Sequence, residues 1–264
     1  MTLDISIGSL LDLVAQRIWP FIRIGAFVMV MPVIGGSFVP QRVRLILAVV
    51  LTLVIAPALP SLPSIDILSM PGMLLMLQEI AIGVAMGFVV QLIFDAIALG
   101  GQVISMSMGL GFAVFVDRQR GVNVPVLGQL FLMLAMLIFL SLDGHLVLIR
   151  MLADSFHILP MNSDINSGGI GQTALSSLLE WSAQLFVVAM NIALPAITAL
   201  IVVNLSFGVM SRAAPTLNLF AVGFPVAMLL GFVVIFLSME SLTANVSRSL
   251  GDALGMLTVL LGGR

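Results

Sequence analysis

Charge nearly vanishes from this chain over stretches long enough to cross a bilayer, and that limits its fold more than any motif does. Six apolar blocks stand out: Leu10–Ile34, Leu45–Leu59, Met70–Ala98, Val126–Leu142, Thr173–Phe207 and Val222–Ser238. Crossing about 30 Å of hydrocarbon takes roughly 20 helical residues. Such spans must be helical, because lipid cannot satisfy open backbone donors and acceptors. Composition agrees: 61% of the residues are hydrophobic and 8% charged, whereas soluble domains carry about 25% charged residues. The sequence therefore predicts an all-α membrane-associated protein of about six long, kinked helices arranged as hairpins.

The blocks fit a bilayer unevenly. Leu45–Leu59 is short, whereas Met70–Ala98 and Thr173–Phe207 are long; the last of these would run about 52 Å at the helical rise. Beyond Ser238 no strong breaker intervenes, and Leu242, Val246, Leu250, Leu254, Leu257 and Leu261 continue one face at helical period. Glu240, Asn245, Arg248 and Asp252 make that extension amphipathic. The expected product is a hairpin taller than the bilayer, with Pro195 and Pro225 as candidate kinks. It either bends within lipid or stands partly outside it against other protein.

The connections divide the chain. Pro40–Arg44 reads as a tight basic turn, and Pro57–Pro71, with Pro57, Pro60, Pro63 and Pro71, as a loop. The third block is expected to stop at Ala98, before Gly100-Gly101. The polar stretch Asn162–Gly171 is the best internal boundary, giving parts 1–170 and 171–264. With six spans and both termini outside, Arg42, Arg44, Arg118, Arg120 and Arg212 lie inside and Arg150, Arg248 and Arg264 outside, a weak positive-inside bias. Residues 1–16 lack the positive start of a secretory signal, so the first apolar segment is expected to be retained.

Absences remove whole chemistries. All ten basic residues are Arg; without Lys there is neither a Walker phosphate loop nor a Schiff base. Without Cys there is no thiolate catalysis, disulfide or sulfur-ligated metal. His145 and His157 are the only histidines, too few for a three-His zinc site. Gly169-x-Gly171-x-x-Ala174 sits in a polar loop with no preceding strand, so it is not read as a dinucleotide site. A net charge of −2 without a basic run argues against nucleic acid. No enzymatic activity, cofactor or metal is expected.

Candidate functional residues lie among the apolar blocks. Arg17, Arg23 and Glu180 sit close enough to helix ends to snorkel toward water. Glu79 lies deeper, and Glu79, Gly83 and Gly87 share a helix face. The two glycines would admit another backbone, so this face is expected to pack against a neighbouring subunit, a proton relay being the sharper alternative. In Ser105–Asp117 (SMSMGLGFAVFVD), Met106, Met108, Phe112 and Phe115 are interrupted by Gly109 and Gly111. The segment reads either as an ordinary buried loop or as a deformable apolar seal, since Met adapts to irregular gaps. His145 is expected at a polar helix end before a helix over Leu146–Phe156.

Four stretches, in order, carry a family resemblance: RIGAFVMVMPVIGGSFVPQRVRLILA (Arg23–Ala48), QEIAIGVAMG (from Gln78-Glu79 through Gly83 and Gly87), GGQVISMSMGLG within Ala98–Gly111, and FLSLDGH (Phe139–His145). Together they resemble the FliR family of flagellar type III export, called SctT in injectisomes. The second half fits through its length and hairpin. The resemblance implies a subunit of the export gate in the bacterial inner membrane, within the flagellar basal body. One FliR-like copy would join FliP-like and FliQ-like subunits and other export proteins, and unfolded flagellar proteins would pass through. It implies further that residues 1–170 are FliP-like, that 171–264 form a FliQ-like hairpin, and that loop 105–117 plugs the closed channel with Phe112 and Phe115. Energy would come from outside the chain. The competing reading is a stand-alone solute or ion transporter, which also uses broken helices and buried carboxylates.

Overall fold

The computed structural model describes residues 7–36, 39–59, 69–110, 126–161, 172–213 and 219–262. All regular structure among them is helical: α1 (Ile7–Val30), α2 (Gln41–Ile55) with a 3-10 turn at Ala56–Ala58, α3 (Met70–Ser107), α4 (Val126–Ser141), α5 (Gly144–Ile158), α6 (Gln172–Ser182), α7 (Gln184–Ala213), α8 (Leu219–Leu237) and α9 (Met239–Leu260). The protein is an all-α membrane protein. Among the described residues three helices are long and apolar enough to cross a membrane, or up to five if two bent pairs each count as one span.

Two compact units divide the chain, and both are discontinuous in sequence. Unit 1 takes residues Met1–Gln91, Asp143–Ser182 and Ala253–Arg264. Its α1 buries Trp19, Arg23, Ile24, Phe27 and Val28, a spacing that places them on one helical face, and Met31 just past its end is buried too. α1 packs on α2. α2 follows Pro40, which cannot donate a backbone hydrogen bond, at its N-cap. The Arg44 guanidinium donates to the carbonyl oxygens of Val39 and Gly36 and so ties the basic turn to α2. α2 buries Ala48, Thr52 and Ile55, half-buries Leu47 and Leu51, and leaves Val43, Leu45, Ile46, Val49, Val50, Leu53 and Val54 exposed. The Trp181 indole Nε1–H at the end of α6 donates to the Val89 carbonyl of α3 at 3.1 Å.

Unit 2 takes Leu92–Leu142 and Ala183–Asp252. Here the third apolar block does not stop at Ala98. α3 runs through Gly100-Gly101 to Ser107, 38 residues in all, about 57 Å. The glycine pair is a place of close approach on two sides. A Cβ at Gly100 would lie 3.0 Å from the Ala189 carbonyl oxygen of α7, and one at Gly101 2.8 Å from the Leu127 oxygen of α4. Packing of other backbones against these glycines outweighs their poor intrinsic helix propensity of about 1 kcal/mol each. Phe94 of α3 and Phe139 of α4 meet edge to face with centroids 5.5 Å apart, a favoured aromatic geometry.

α7 and α8 pack together as the expected hairpin. Pro195 and Pro225 lie inside these helices. A sharp bend falls at Ser238, where the line Gly223–Leu237 turns by 57° into Met239–Leu260. The Ser238 N–H is shared between the carbonyl oxygens of Val234 and Ile235, a bifurcation typical of tightened helix ends. Polar residues begin there with Glu240, and the amphipathic α9 starts at Met239.

Candidate functional site

Unit 1 contains a fully buried ion pair, the most demanding polar group among the described residues. Arg23 of α1 and Glu79 of α3 are both fully buried. The Arg23 Nε–H donates to Glu79 Oε2 at 2.6 Å and Nη2 to Oε1 at 2.9 Å, a bidentate pair. Nη1 donates to the Ser155 carbonyl oxygen at 3.0 Å and to its Oγ at 3.2 Å, and Nη2 also reaches the Leu159 oxygen at 2.9 Å. Every N–H of the guanidinium is thereby engaged. The Ser155 hydroxyl keeps its own proton for the Leu152 carbonyl at 2.7 Å.

Ser155 and Leu159 stand at the C-terminal end of α5. The last carbonyls of a helix lack intrahelical partners and carry the negative end of its dipole. Arg23 therefore serves as a cationic cap on α5 while pairing with α3, and its charged carbon lies 4.4 Å from the Phe156 ring centroid. One guanidinium joins three helices. This corrects the expectation that Arg23 snorkels: its head finds all its partners inside unit 1. Sequence reasoning treated Arg23 and Glu79 separately. The available signal was two opposite charges in two apolar blocks, each of which needs a partner.

The Glu79, Gly83 and Gly87 face is covered by α1 of the same chain. A Cβ at Gly83 would collide with the Arg23 carbonyl oxygen and lie 2.9 Å from the Ala26 Cβ. One at Gly87 would lie 2.9 Å from the Val30 Cβ. The glycines admit a neighbouring backbone, but it belongs to this chain, and the expectation of a neighbouring subunit on this face is corrected accordingly. Arg17 is half-buried and Glu180 exposed. His145 lies in the first turn of α5, which runs from Gly144 to Ile158, wider than the expected Leu146–Phe156.

The other candidate segment, 105–117, opens inside unit 2. Ser105, Met106 and Ser107 belong to the last turn of α3. Gly109 has φ 80°, its N–H donates to the Met106 oxygen at 3.0 Å, and the Leu110 N–H reaches the Ser105 oxygen at 3.1 Å. This pair of bonds around a left-handed glycine is the Schellman termination of a helix. Met106 is exposed. Met108 is buried, and its side chain lies so close to Gly231 of α8 that a Cβ there would come within 2.6 Å of it. The chain leaving α3 is thus fixed at Met108 and Gly109. Gly111, Phe112 and Phe115 lie outside the described residues. Among the described residues no group of His, Asp or Glu is placed to hold a metal ion.

Comparison with known proteins adds the family. A family model for bacterial export proteins, family 1, matches residues 14–253. The flagellar biosynthetic protein FliR of Pectobacterium carotovorum is 38% identical over 257 residues, 95% of this chain and 97% of that protein. FliR of Escherichia coli K12 is 38% identical over 213 residues, 81% of this chain and 80% of the relative. FliR of Bacillus subtilis is 28% identical over 233 residues, 88% and 89% of the two. With the apolar helices, the order of the four motifs and these matches in agreement, the chain belongs to the FliR family of bacterial export proteins and is a component of the flagellar export apparatus.

Proposed function

We propose that the chain is a structural subunit of the flagellar export gate in the bacterial inner membrane, where it joins FliP-like and FliQ-like subunits around a channel for unfolded flagellar proteins. The observation that carries this reading is the apolar surface that unit 2 leaves uncovered. α7 spans 30 residues, about 45 Å of helix against about 30 Å of hydrocarbon. Phe186, Ile201, Val202, Leu205 and Val209 along it are exposed. Tilt absorbs only modest mismatch. Surface of this extent outside lipid calls for other protein. The stretches 1–170 and 171–264 are taken as FliP-like and FliQ-like parts, a division of the sequence that differs in kind from the compact units.

The gate is passive, with energy supplied by other parts of the apparatus. Segment 105–117 is its seal. The cap at Gly109 and the buried Met108 support this role by giving the following residues a fixed point of departure. In the closed state Phe112 and Phe115 fill and dewet the channel, and they move aside as substrate enters. Replacing both with Ala is expected to raise ion leakage across the inner membrane of cells carrying the assembled apparatus. Leakage equal to wild type would remove the seal assignment. A stand-alone transporter would instead move its solute when reconstituted by itself, and its deletion would leave filament secretion intact.

A further inference from the structure

α2 is divided lengthwise into two faces of different make-up. The buried face presents Ala48, Thr52 and Ile55, and the Thr52 hydroxyl donates to the Ala48 carbonyl oxygen of its own helix at 2.7 Å. The opposite face covers about half of the helix circumference at 3.6 residues per turn. From Val43 to Val54 each exposed residue on it is Val, Leu or Ile. Helix contacts inside membranes favour small residues, which let backbones approach. α2 keeps its small residues, Ala48 and Thr52, on the side that meets this chain and offers none on the exposed side. The exposed arc rises about 17 Å, close to half of the roughly 30 Å of bilayer hydrocarbon.

Charge marks one end of that arc. Arg42 is exposed and lies in line with Ile46, Val49 and Leu53 on the same side of the helix. Arg44 is occupied by the carbonyl oxygens of Val39 and Gly36, whereas among the described residues Arg42 pairs with no carboxylate. Gln41–Ala58 contains no acidic residue. We infer that α2 faces lipid and holds an anionic phospholipid, whose headgroup phosphate binds the Arg42 guanidinium and whose acyl chains lie along the Val, Leu and Ile arc. A guanidinium offers a planar fork of donors that matches phosphate. A basic residue at the end of an apolar helix surface stands where anionic headgroups meet hydrocarbon. The arc has the length of one leaflet, and its branched aliphatic side chains suit acyl chains better than a closely packed helix. The inference requires a membrane protein and does not depend on the gate reading.

Photolabelling from the lipid tests it. The tagged full-length chain is purified with its partners and reconstituted in bilayers containing a trace of phosphatidylglycerol or phosphatidylcholine with a photoactivatable group on one acyl chain. After irradiation the labelled peptides are mapped by mass. Adducts are expected on the exposed side of Val43–Val54, about fivefold more from phosphatidylglycerol than from phosphatidylcholine. Arg42→Gln should bring the phosphatidylglycerol yield down to the phosphatidylcholine yield, and Arg42→Lys should keep most of the difference, since an ammonium still binds phosphate as a point charge. Equal yields from the two lipids in the wild-type chain, or a phosphatidylglycerol yield unchanged by Arg42→Gln, overturn the inference. So does an α2 free of adducts within an intact complex, which would mean that another subunit covers the arc and would leave the gate reading standing.

Discussion

Arg23 and Glu79 show what a buried charge needs in order to be tolerated. Neither charge is in water, and the pair persists because the guanidinium is saturated by a carboxylate, two helix-end carbonyls and a hydroxyl. Removing one member leaves the other uncompensated, a loss of about 3–5 kcal/mol, whereas replacing both with apolar side chains of similar volume is far milder. We therefore expect Arg23→Met alone and Glu79→Leu alone each to lower the unfolding midpoint of the solubilised protein sharply. The double variant should recover most of the loss, although the α5 carbonyls lose their cap. Two single losses that simply add in the double variant would show that the residues act independently. The glycines on the same face follow a different rule. At Gly83 an added methyl meets the backbone of α1, which has little freedom to move. Overpacking costs about 1–3 kcal/mol, more than the gain of up to about 1 kcal/mol that alanine brings to a helix. Gly83→Ala should thus destabilise. Gly255→Ala, in α9 with no atom within 4 Å of the added Cβ, should stabilise by about 0.5–1 kcal/mol; thermal unfolding of the two variants side by side checks the sign of each.

At the scale of elements, α3 decides the architecture, because its N-terminal part belongs to unit 1 and its C-terminal part to unit 2. Gly101 lets α4 lie against it, so Gly101→Val should disturb unit 2 and lower the unfolding midpoint, with a smaller loss for Gly101→Ala. A Gly101→Val protein as stable as wild type would mean that this contact matters little. Much of the helical layout was legible in the sequence. The apolar blocks around α2, α4, α7 and α8, the polar start of α9 and the shared face of Glu79, Gly83 and Gly87 all follow from hydrophobic runs and helical period. The end of α3 was not legible, because a glycine pair reads equally as a breaker and as a contact point until the neighbouring helices are known. The bend at Ser238 was missed for a similar reason. No proline marks it in the sequence; this bend lies where apolar surface gives way to polar surface. Arg23 as the cap of α5 was out of reach, since its partners lie 56 and more than 130 residues away in sequence.

For the whole molecule, the balance between buried and exposed apolar surface is the decisive property. In the most apolar windows of Gln41–Ala58 and Ala174–Ala213 only 22% and 28% of the residues are buried within the chain, against 67% for Met70–Ser107. α3 is thus covered mostly by this chain, whereas α2 and α7 await lipid or other subunits. Family membership makes the chain a part of flagellar export, and under the proposed function its exposed helices form one wall of a larger helical particle. The most direct measurement is the native mass of the tagged chain gently extracted from flagellated cells. The expected result is a discrete complex with fixed numbers of FliP-like and FliQ-like subunits and one copy of this chain. A stable, folded monomer surrounded only by detergent and lipid would contradict it.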